Sequence, residues 1–271
     1  MVWRLDVLFV LFVGILTLSS TKGNSQPLIP GMMIILLKNT ATLYNTIPLS
    51  EQLEYYKEYQ KKLVEVAGKV NATSIVNGSI HLVSSGSSDF VQNYYINPLL
   101  NKLYTPYQFS DILIQSYSHF IKKLYKVGAR KIGVTTLPPI GCIPASITMF
   151  GEDNNECVTK MNLVAEYFNK KLNSISGTLK AKQSGLNLVV LDIYNPLYDL
   201  VQKPADYGFF EARKACCGTG MVETAILCNQ ASPGTCENAT GYVFWDGFHP
   251  SETANDILAS SLLAAGIGLI D

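Results

Sequence analysis

The residue pair best suited to chemistry lies near the C-terminus, in the run Trp-Asp-Gly-Phe-His-Pro at residues 245–250. Asp246 precedes His249 by three residues, and a helix is predicted directly afterwards. A hydrolase with a serine nucleophile needs such a pair, because the imidazole takes the nucleophile's proton and the carboxylate orients the imidazolium. Asp246 and His249 are therefore candidate catalytic residues. The same spacing also fits a loop Asp that caps the last helix beside a surface His.

A nucleophile for this pair is not recognisable in the sequence. Ser87 and Ser88 follow a short apolar run at residues 80–83. A nucleophile elbow has the pattern Gly-x-Ser-x-Gly, and no glycine follows Ser88 at the required place. We therefore do not assign the nucleophile to either serine.

Three further titratable residues fit structural roles better than catalytic ones. Asp192 follows an apolar strand-like run and precedes a short helix, a position typical of a helix N-cap or of a hydrogen bond at the strand end. His81 lies within a predicted strand, and His119 lies on a predicted helix among Phe and Ile. Both histidines are predicted to be packing or surface residues.

Strand-like and helix-like segments alternate along the chain. Strands are predicted at residues 32–37, 80–83, 131–136 and 186–193. Helices are predicted at residues 49–70, 109–127, 158–182, 196–201 and 251–265. Continuous apolar strands that alternate with helices indicate a parallel sheet covered on both faces. Functional groups in such a sheet are expected at the carboxyl ends of the strands.

The N-terminus and the charge balance indicate where the protein works. Residues 1–25 have the pattern of a secretory signal peptide, with Arg4 before an apolar stretch at 7–18; a signal anchor retained in the membrane is the alternative. Residues 26–271 then form one domain, and no later stretch is long enough to span a bilayer. The chain has 21 Lys and Arg residues and 21 Asp and Glu residues, so its formal net charge is zero. This charge balance does not favour nucleic acid or an anionic membrane as a partner. The expected localisation is extracellular, and the oligomeric state is left open.

Glycosylation sequons and cysteines agree with export. The sequons begin at Asn71, Asn77 and Asn238. Six cysteines lie in two loops, an even number that suggests disulfides in an exported chain. We predict one bridge from Cys142 to Cys157 and others among Cys216, Cys217, Cys228 and Cys236. The alternative is a zinc site, which the adjacent Cys216 and Cys217 would serve poorly as tetrahedral ligands.

Several separated motifs carry a family resemblance. They are Tyr-Asn-Thr-Ile-Pro-Leu-Ser at 44–50, Ser-Gly-Ser-Ser-Asp-Phe at 85–90, Gly-Ala-Arg-Lys-Ile-Gly-Val at 128–134, Leu-Pro-Pro-Ile-Gly-Cys at 137–142, Ala-Cys-Cys-Gly at 215–218 and the run at 245–250. From about Leu43 to its end the chain resembles the plant secreted GDSL esterase/lipase family of the SGNH-hydrolase superfamily. The resemblance implies a flavodoxin-like three-layer α/β/α fold and hydrolysis of small-molecule or lipid acyl esters without a metal or cofactor. It also implies that Asp246 and His249 are the inherited catalytic pair.

The chain departs from the family pattern at two places. Ser88 stands where the family has the Asn that helps to form the oxyanion hole. The Gly-Asp-Ser block, which carries the nucleophilic serine after the first strand, has no counterpart near residues 36–43. The resemblance therefore implies an internal deletion there, an incomplete sheet and depleted catalytic machinery. Two functions remain open, a secreted acyl-ester hydrolase and a catalytically inactive secreted relative.

Overall fold

A computed structural model describes residues 9–13, 47–152, 155–224 and 227–270 of the chain, the first segment as backbone only. Its main sheet has four strands in the order β1-β2-β3-β4. They are β1 (Phe9–Val13), β2 (Ile80–Ser84), β3 (Lys131–Thr135) and β4 (Asn187–Leu191). All neighbouring strands are parallel, as the apolar runs predicted.

The strand beside β2 comes from an unexpected part of the chain. Phe9 pairs with Ile80, and the parallel register continues to Val13 opposite Ser84. The sequence predicted residues 32–37 for this place, but those residues lie outside the described part of the chain. Both segments are apolar and of strand length, so local sequence alone could not distinguish them.

Seven α-helices connect and follow the strands in the described residues. They are α1 (Leu49–Gly78), α2 (Pro98–Leu103), α3 (Pro106–Lys126), α4 (Pro144–Phe150), α5 (Thr159–Lys182), α6 (Tyr194–Gln202) and α7 (Glu252–Ala265). Helix α1 extends beyond its predicted end, with a kink at Gly68, where φ is 76° and ψ is 156°. Thr105 and Gln108 form a capping box at the start of α3, and Ser251 caps α7.

Both faces of the main sheet are covered. A Cβ placed on Gly133 of β3 would lie 3.2 Å from Leu269, so the turn Ile267–Leu269 covers that face. Successive residues of a strand point to opposite faces. Ile132 and Val134 point away from Gly133 and are fully buried, so the other face is covered as well. The layered α/β architecture predicted from the sequence is therefore confirmed.

A second, two-stranded parallel sheet lies near the C-terminus. It pairs β5 (Glu211–Ala215) with β6 (Tyr242–Phe244). The pairing continues past β5, where the N–H groups of Cys216 and Cys217 donate to the carbonyls of Phe244 (3.0 Å) and Trp245 (2.9 Å). This small sheet holds the cysteine-rich segment beside the residues that precede Asp246.

All six cysteines are paired. The bridges are Cys142–Cys157, Cys216–Cys236 and Cys217–Cys228. This agrees with the predicted bridge and with the predicted pairing within the cluster, and it leaves no thiolate for zinc. Within the part of the chain that the structure describes, the helices are too short or too polar to cross a membrane.

Candidate functional site

The turn that carries Asp246 and His249 is fixed between β6 and α7. The N–H of Trp245 donates to the carbonyl of His249 at 2.8 Å, and Phe244 forms an antiparallel bridge with Pro250. Directly after the turn, the Ser251 hydroxyl accepts from the N–H of Ala254 and begins α7. The strand, the turn and the helix cap therefore fix the backbone on both sides of the pair.

Asp246 and His249 form a tight hydrogen-bonded pair, which we call the dyad. The imidazole Nδ1 lies 2.6 Å from Oδ2 of Asp246. The other carboxylate oxygen, Oδ1, accepts from the backbone N–H groups of Phe248 and His249, each at 2.8 Å. The Asp246 side chain is 5% exposed and that of His249 is 26% exposed. The turn itself thus orients the buried carboxylate toward the more exposed ring.

The second ring nitrogen of His249 is available for chemistry. A carboxylate only accepts hydrogen bonds, so its partner is the tautomer with a proton on Nδ1, in which Nε2 presents a lone pair. Nε2 is buried and has no hydrogen-bond partner within the described residues. A buried acceptor without a partner is uncommon. The arrangement can accept a proton from a group placed next to Nε2.

The dyad lies at the carboxyl edge of the main sheet. Helix α4 follows the loop that leaves the carboxyl end of β3, and its Ala145 N–H donates to the carbonyl of Gly247 at 2.9 Å. Ser88 follows the carboxyl end of β2, the neighbour of β3. The structure therefore brings the loops of Ser88 and of the dyad to the same edge of the sheet.

Ser88 itself is partly exposed and lies just before a π-helical turn, Asp89–Tyr94. Its side chain makes no capping hydrogen bond to that turn. The hydrogen bonds of the described residues do not join Ser87 or Ser88 to His249. Neither serine is thus in the contact with Nε2 that a nucleophile would make.

The cysteine-rich segment contributes a dyad contact that the sequence did not reveal. Thr224, between Cys217 and Cys228, donates its hydroxyl to Oδ2 of Asp246 at 3.0 Å. Its neighbour Glu223 accepts from the N–H of Gly247 through its carbonyl at 2.8 Å. A threonine inside a disulfide loop is the only sequence signal for this contact, and spacing does not identify its partner.

The Glu223 carboxylate stabilises the same segment. It accepts from the hydroxyl and from the backbone N–H of Thr219, each at 3.0 Å. These hydrogen bonds lower the pKa of Glu223 to about 2, and the bond from the hydroxyl has the largest effect. Glu223 is therefore ionised at neutral pH and holds the loop in shape through its side chain.

The three residues given structural roles have the following surroundings. The N-cap of α6 is Ile193 and not Asp192, and the Asp192 carboxylate accepts from the N–H of Tyr194 at 2.9 Å. His81 is fully buried, with Nε2 2.7 Å from the hydroxyl of Tyr56. His119 is exposed on α3.

A cavity at this edge is lined by residues other than those of the dyad. It has a volume of about 350 Å³ and includes Thr136, Glu166, Asp192 and Tyr194 in its lining. Its two carboxylates already have partners, since Thr136 donates to Asp192 and Tyr194 donates to Glu166. Both carboxylates thus take part in hydrogen bonds that connect the residues of the cavity lining.

The three sequon asparagines lie on the surface. Asn71 and Asn77 are exposed on α1, and Asn238 is exposed just before β6. Asn71 also donates to the carbonyl of Ala67, and Asn238 accepts from the N–H of Thr240. The folded chain thus leaves all three accessible to solvent, and their glycosylation stays a prediction.

Known proteins match most of this chain. A family model described as GDSL-like Lipase/Acylhydrolase matches residues 21–262. Two Arabidopsis thaliana proteins serve as examples. GDSL esterase/lipase At5g03810 is 60% identical over 232 residues, which cover 85% of this chain and 66% of that protein. GDSL esterase/lipase APG is 57% identical over 231 residues, which cover 85% of this chain and 65% of that protein.

The chain thus spans slightly less than two thirds of the length of these relatives. The family match nevertheless extends over nearly the whole sequence and includes the dyad, the disulfide loops and the strands of the main sheet from β2 onward. These findings show that the chain belongs to the GDSL-like lipase/acylhydrolase family.

Proposed function

We propose that the chain is built as a hydrolase of carboxylic acyl esters, with Asp246 and His249 as its acid–base pair. The observation that carries the proposal is the state of the His249 ring. Nδ1 lies 2.6 Å from the Asp246 carboxylate, while Nε2 is buried and has no hydrogen-bond partner among the residues that the structure describes. Family membership supplies the substrate class, small-molecule or lipid esters.

The proposed reaction uses the two ring nitrogens differently. Nε2 takes the proton of a nucleophilic hydroxyl as that oxygen attacks the ester carbonyl, and Asp246 stabilises the imidazolium that forms. His249 then returns the proton to the leaving alcohol, and water releases the acyl group by the same route. Ser88 would donate one hydrogen bond to the oxyanion, in the place of the family's Asn.

The alternative is an inactive family member, and one observation favours it for this polypeptide. The sequence has no Gly-Asp-Ser block near residues 36–43, where the family has its nucleophilic serine. Loss of a triad nucleophile costs about six orders of magnitude in kcat. We therefore propose that the chain lacks the nucleophile block and has little or no esterase activity as it stands.

Hydrolysis of p-nitrophenyl acetate and butyrate tests both parts. The unmodified chain is compared with a variant that has a family-type Gly-Asp-Ser segment inserted after Ile35, and with the matched Gly-Asp-Ala insertion. We expect turnover only with Gly-Asp-Ser, and its loss when His249→Ala is added. Turnover by the unmodified chain that His249→Ala abolishes would show that another residue is the nucleophile. Turnover insensitive to His249→Ala would refute the role of the dyad.

We also propose that the protein is exported and glycosylated. The apolar segment before the domain and the exposure of Asn71, Asn77 and Asn238 support this. Expression in a secretory host followed by glycosidase treatment should increase gel mobility. A chain that stays in the cytosol without a mobility shift would contradict it.

A further inference from the structure

Among the described residues, the Asp246 carboxylate has four hydrogen-bond donors, and one of them comes from outside its own turn. Three are the N–H groups of Phe248 and His249 and the imidazole Nδ1. The fourth is the hydroxyl of Thr224, at 3.0 Å from Oδ2. An ionised carboxylate has about four lone-pair sites. The four donors therefore fill the lone-pair sites of the carboxylate. Thr224 donates to Oδ2, the same oxygen that contacts His249.

Thr224 is held firmly in this place. The N–H of Gly247 donates to the carbonyl of Glu223, so the residue before Thr224 is bonded to the residue after Asp246. A Cβ on Gly247 would lie 3.0 Å from the backbone of Val222, so the two segments are in close contact. The disulfide Cys217–Cys228 encloses the segment.

We propose that Thr224 is a positioning residue for the dyad. The N–H groups of the turn hold Oδ1, and the Thr224 hydroxyl holds Oδ2 in the position that faces Nδ1 of His249. A hydrogen bond to an ionised group is stronger than one between neutral groups, so the loss of the Thr224 hydroxyl loosens the position of Oδ2. The structural assignment stands on the contacts alone, and its catalytic meaning rests on the function proposed above.

The first test is spectroscopic and uses the full chain without any activity. The chain has three histidines, so the Nδ1 proton of His249 can be assigned by NMR with a His249→Gln reference. A short hydrogen bond to a carboxylate places this proton far downfield and slows its exchange with water. We expect Thr224→Val to move the signal upfield and to speed its exchange at least about threefold, while Thr224→Ser keeps both properties.

Thr235→Val is the matched control. Thr235 lies in the same cysteine-rich loop, and its hydroxyl donates to the carbonyl of Asn229 without contacting Asp246. If Thr224→Val acted only by loosening the loop, Thr235→Val would alter the His249 signal in the same way. An unchanged signal in Thr224→Val, or an equal change in Thr235→Val, would overturn the proposal.

The second test uses the variant with the Gly-Asp-Ser insertion. There we expect Thr224→Val to lower kcat about tenfold with KM within about twofold, and Thr224→Ser to recover most of the loss. If the insertion variant has no activity, the proposed function fails while the NMR result still decides the role of Thr224. If it is active and Thr224→Val leaves kcat unchanged, the positioning role is wrong and the proposed function stands.

Discussion

At the scale of single residues, this molecule has two histidines with opposite environments. Nε2 of His249 has no hydrogen-bond partner in the described parts of the chain, whereas both nitrogens of His81 have partners. Nδ1 of His81 lies 3.1 Å from the carbonyl of Ser79, which can only accept, so Nδ1 carries the proton. Nε2 therefore accepts from the hydroxyl of Tyr56 at 2.7 Å. A neutral, fully bonded ring in the core has a structural role.

This difference predicts a specific dependence of stability on pH. Burial lowers the pKa of His81 from 6.5 to about 4. The unfolded ring binds a proton below pH 6.5 and the folded ring only below about 4. The stability from the neutral ring is thus complete above pH 6.5 and is lost as the pH falls toward 4. The loss is on the order of 3 kcal/mol.

Urea unfolding between pH 4 and pH 7 measures this dependence. His81→Gln should have a flatter dependence of the free energy of unfolding on pH in this window. His119→Gln, which removes an exposed histidine, should leave the dependence of the wild type unchanged. Equal pH dependence in His81→Gln and in the wild type would contradict the prediction.

At the scale of elements, helix α1 depends on one glycine. Gly68 has φ 76° and ψ 156°, a backbone conformation that side chains with a Cβ rarely adopt. No atom lies within 4 Å of the Cβ that an alanine would add, so the cost is confined to the backbone. We expect Gly68→Ala to destabilise the protein by about 1–3 kcal/mol. Chemical unfolding measures it, and Gly177→Ala in regular helix α5, also in open space, is the control that should not destabilise.

The disulfide Cys217–Cys228 connects an element to the site. Replacing both cysteines by serine should cost about 3 kcal/mol, because the closed loop constrains the unfolded chain. It should also release Thr224. Hydrogen exchange at the amides of Phe248 and His249, which donate to Asp246, should then accelerate more than overall destabilisation explains.

Gly68→Ala is the control for that experiment, because it destabilises the chain far from the disulfide loop. The comparison is made between the double serine replacement and Gly68→Ala at the same loss of stability. If exchange at the amides of Phe248 and His249 accelerates equally in the two, the disulfide does not act through Thr224.

The sequence predicted the long elements better than the short ones. Helix α5 and strands β2 to β4 have strong apolar patterns, and their observed bounds agree with the prediction within a few residues. The short elements α2, α4, β5 and β6 were missed because a few residues carry little periodic signal. Tertiary pairing determines β6, for instance, through its contact with β5.

The same distinction between local sequence signals and tertiary contacts applies to the residues of the candidate site. Asp246 and His249 could be predicted because their turn is a local sequence motif. Thr224 could not, because its contact depends on which cysteines pair, and four clustered cysteines allow three connectivities. The observed pair Cys217–Cys228 encloses Thr224 and leaves it facing the carboxylate.

At the scale of the whole molecule, two apolar segments of the chain could form the strand that pairs with the free edge of β2. Phe9–Val13 occupies it in the structure, and the sequence predicts that residues 32–37 can form a strand there. For a chain that begins at residue 26, we expect residues 32–37 to pair with β2, since an open edge strand favours pairing. The amides of residues 32–37 should then be protected from hydrogen exchange in that chain.

Ile34→Pro is the variant that challenges this expectation, because proline removes a backbone donor and disfavours an inner strand. In the shortened chain it should abolish the protection and promote aggregation. A shortened chain that is stable and monomeric while residues 32–37 exchange freely would show that β2 needs no second partner.

The origin of β1 also bears on the export that we propose for this protein. If residues 1–25 direct export, the segment that the secretion machinery must bind is the same one that folding places in the sheet. A precursor that folds first hides its own export signal, and a precursor that is translocated first loses the strand. Under that condition, translocation must begin before residues 9–13 pair with β2.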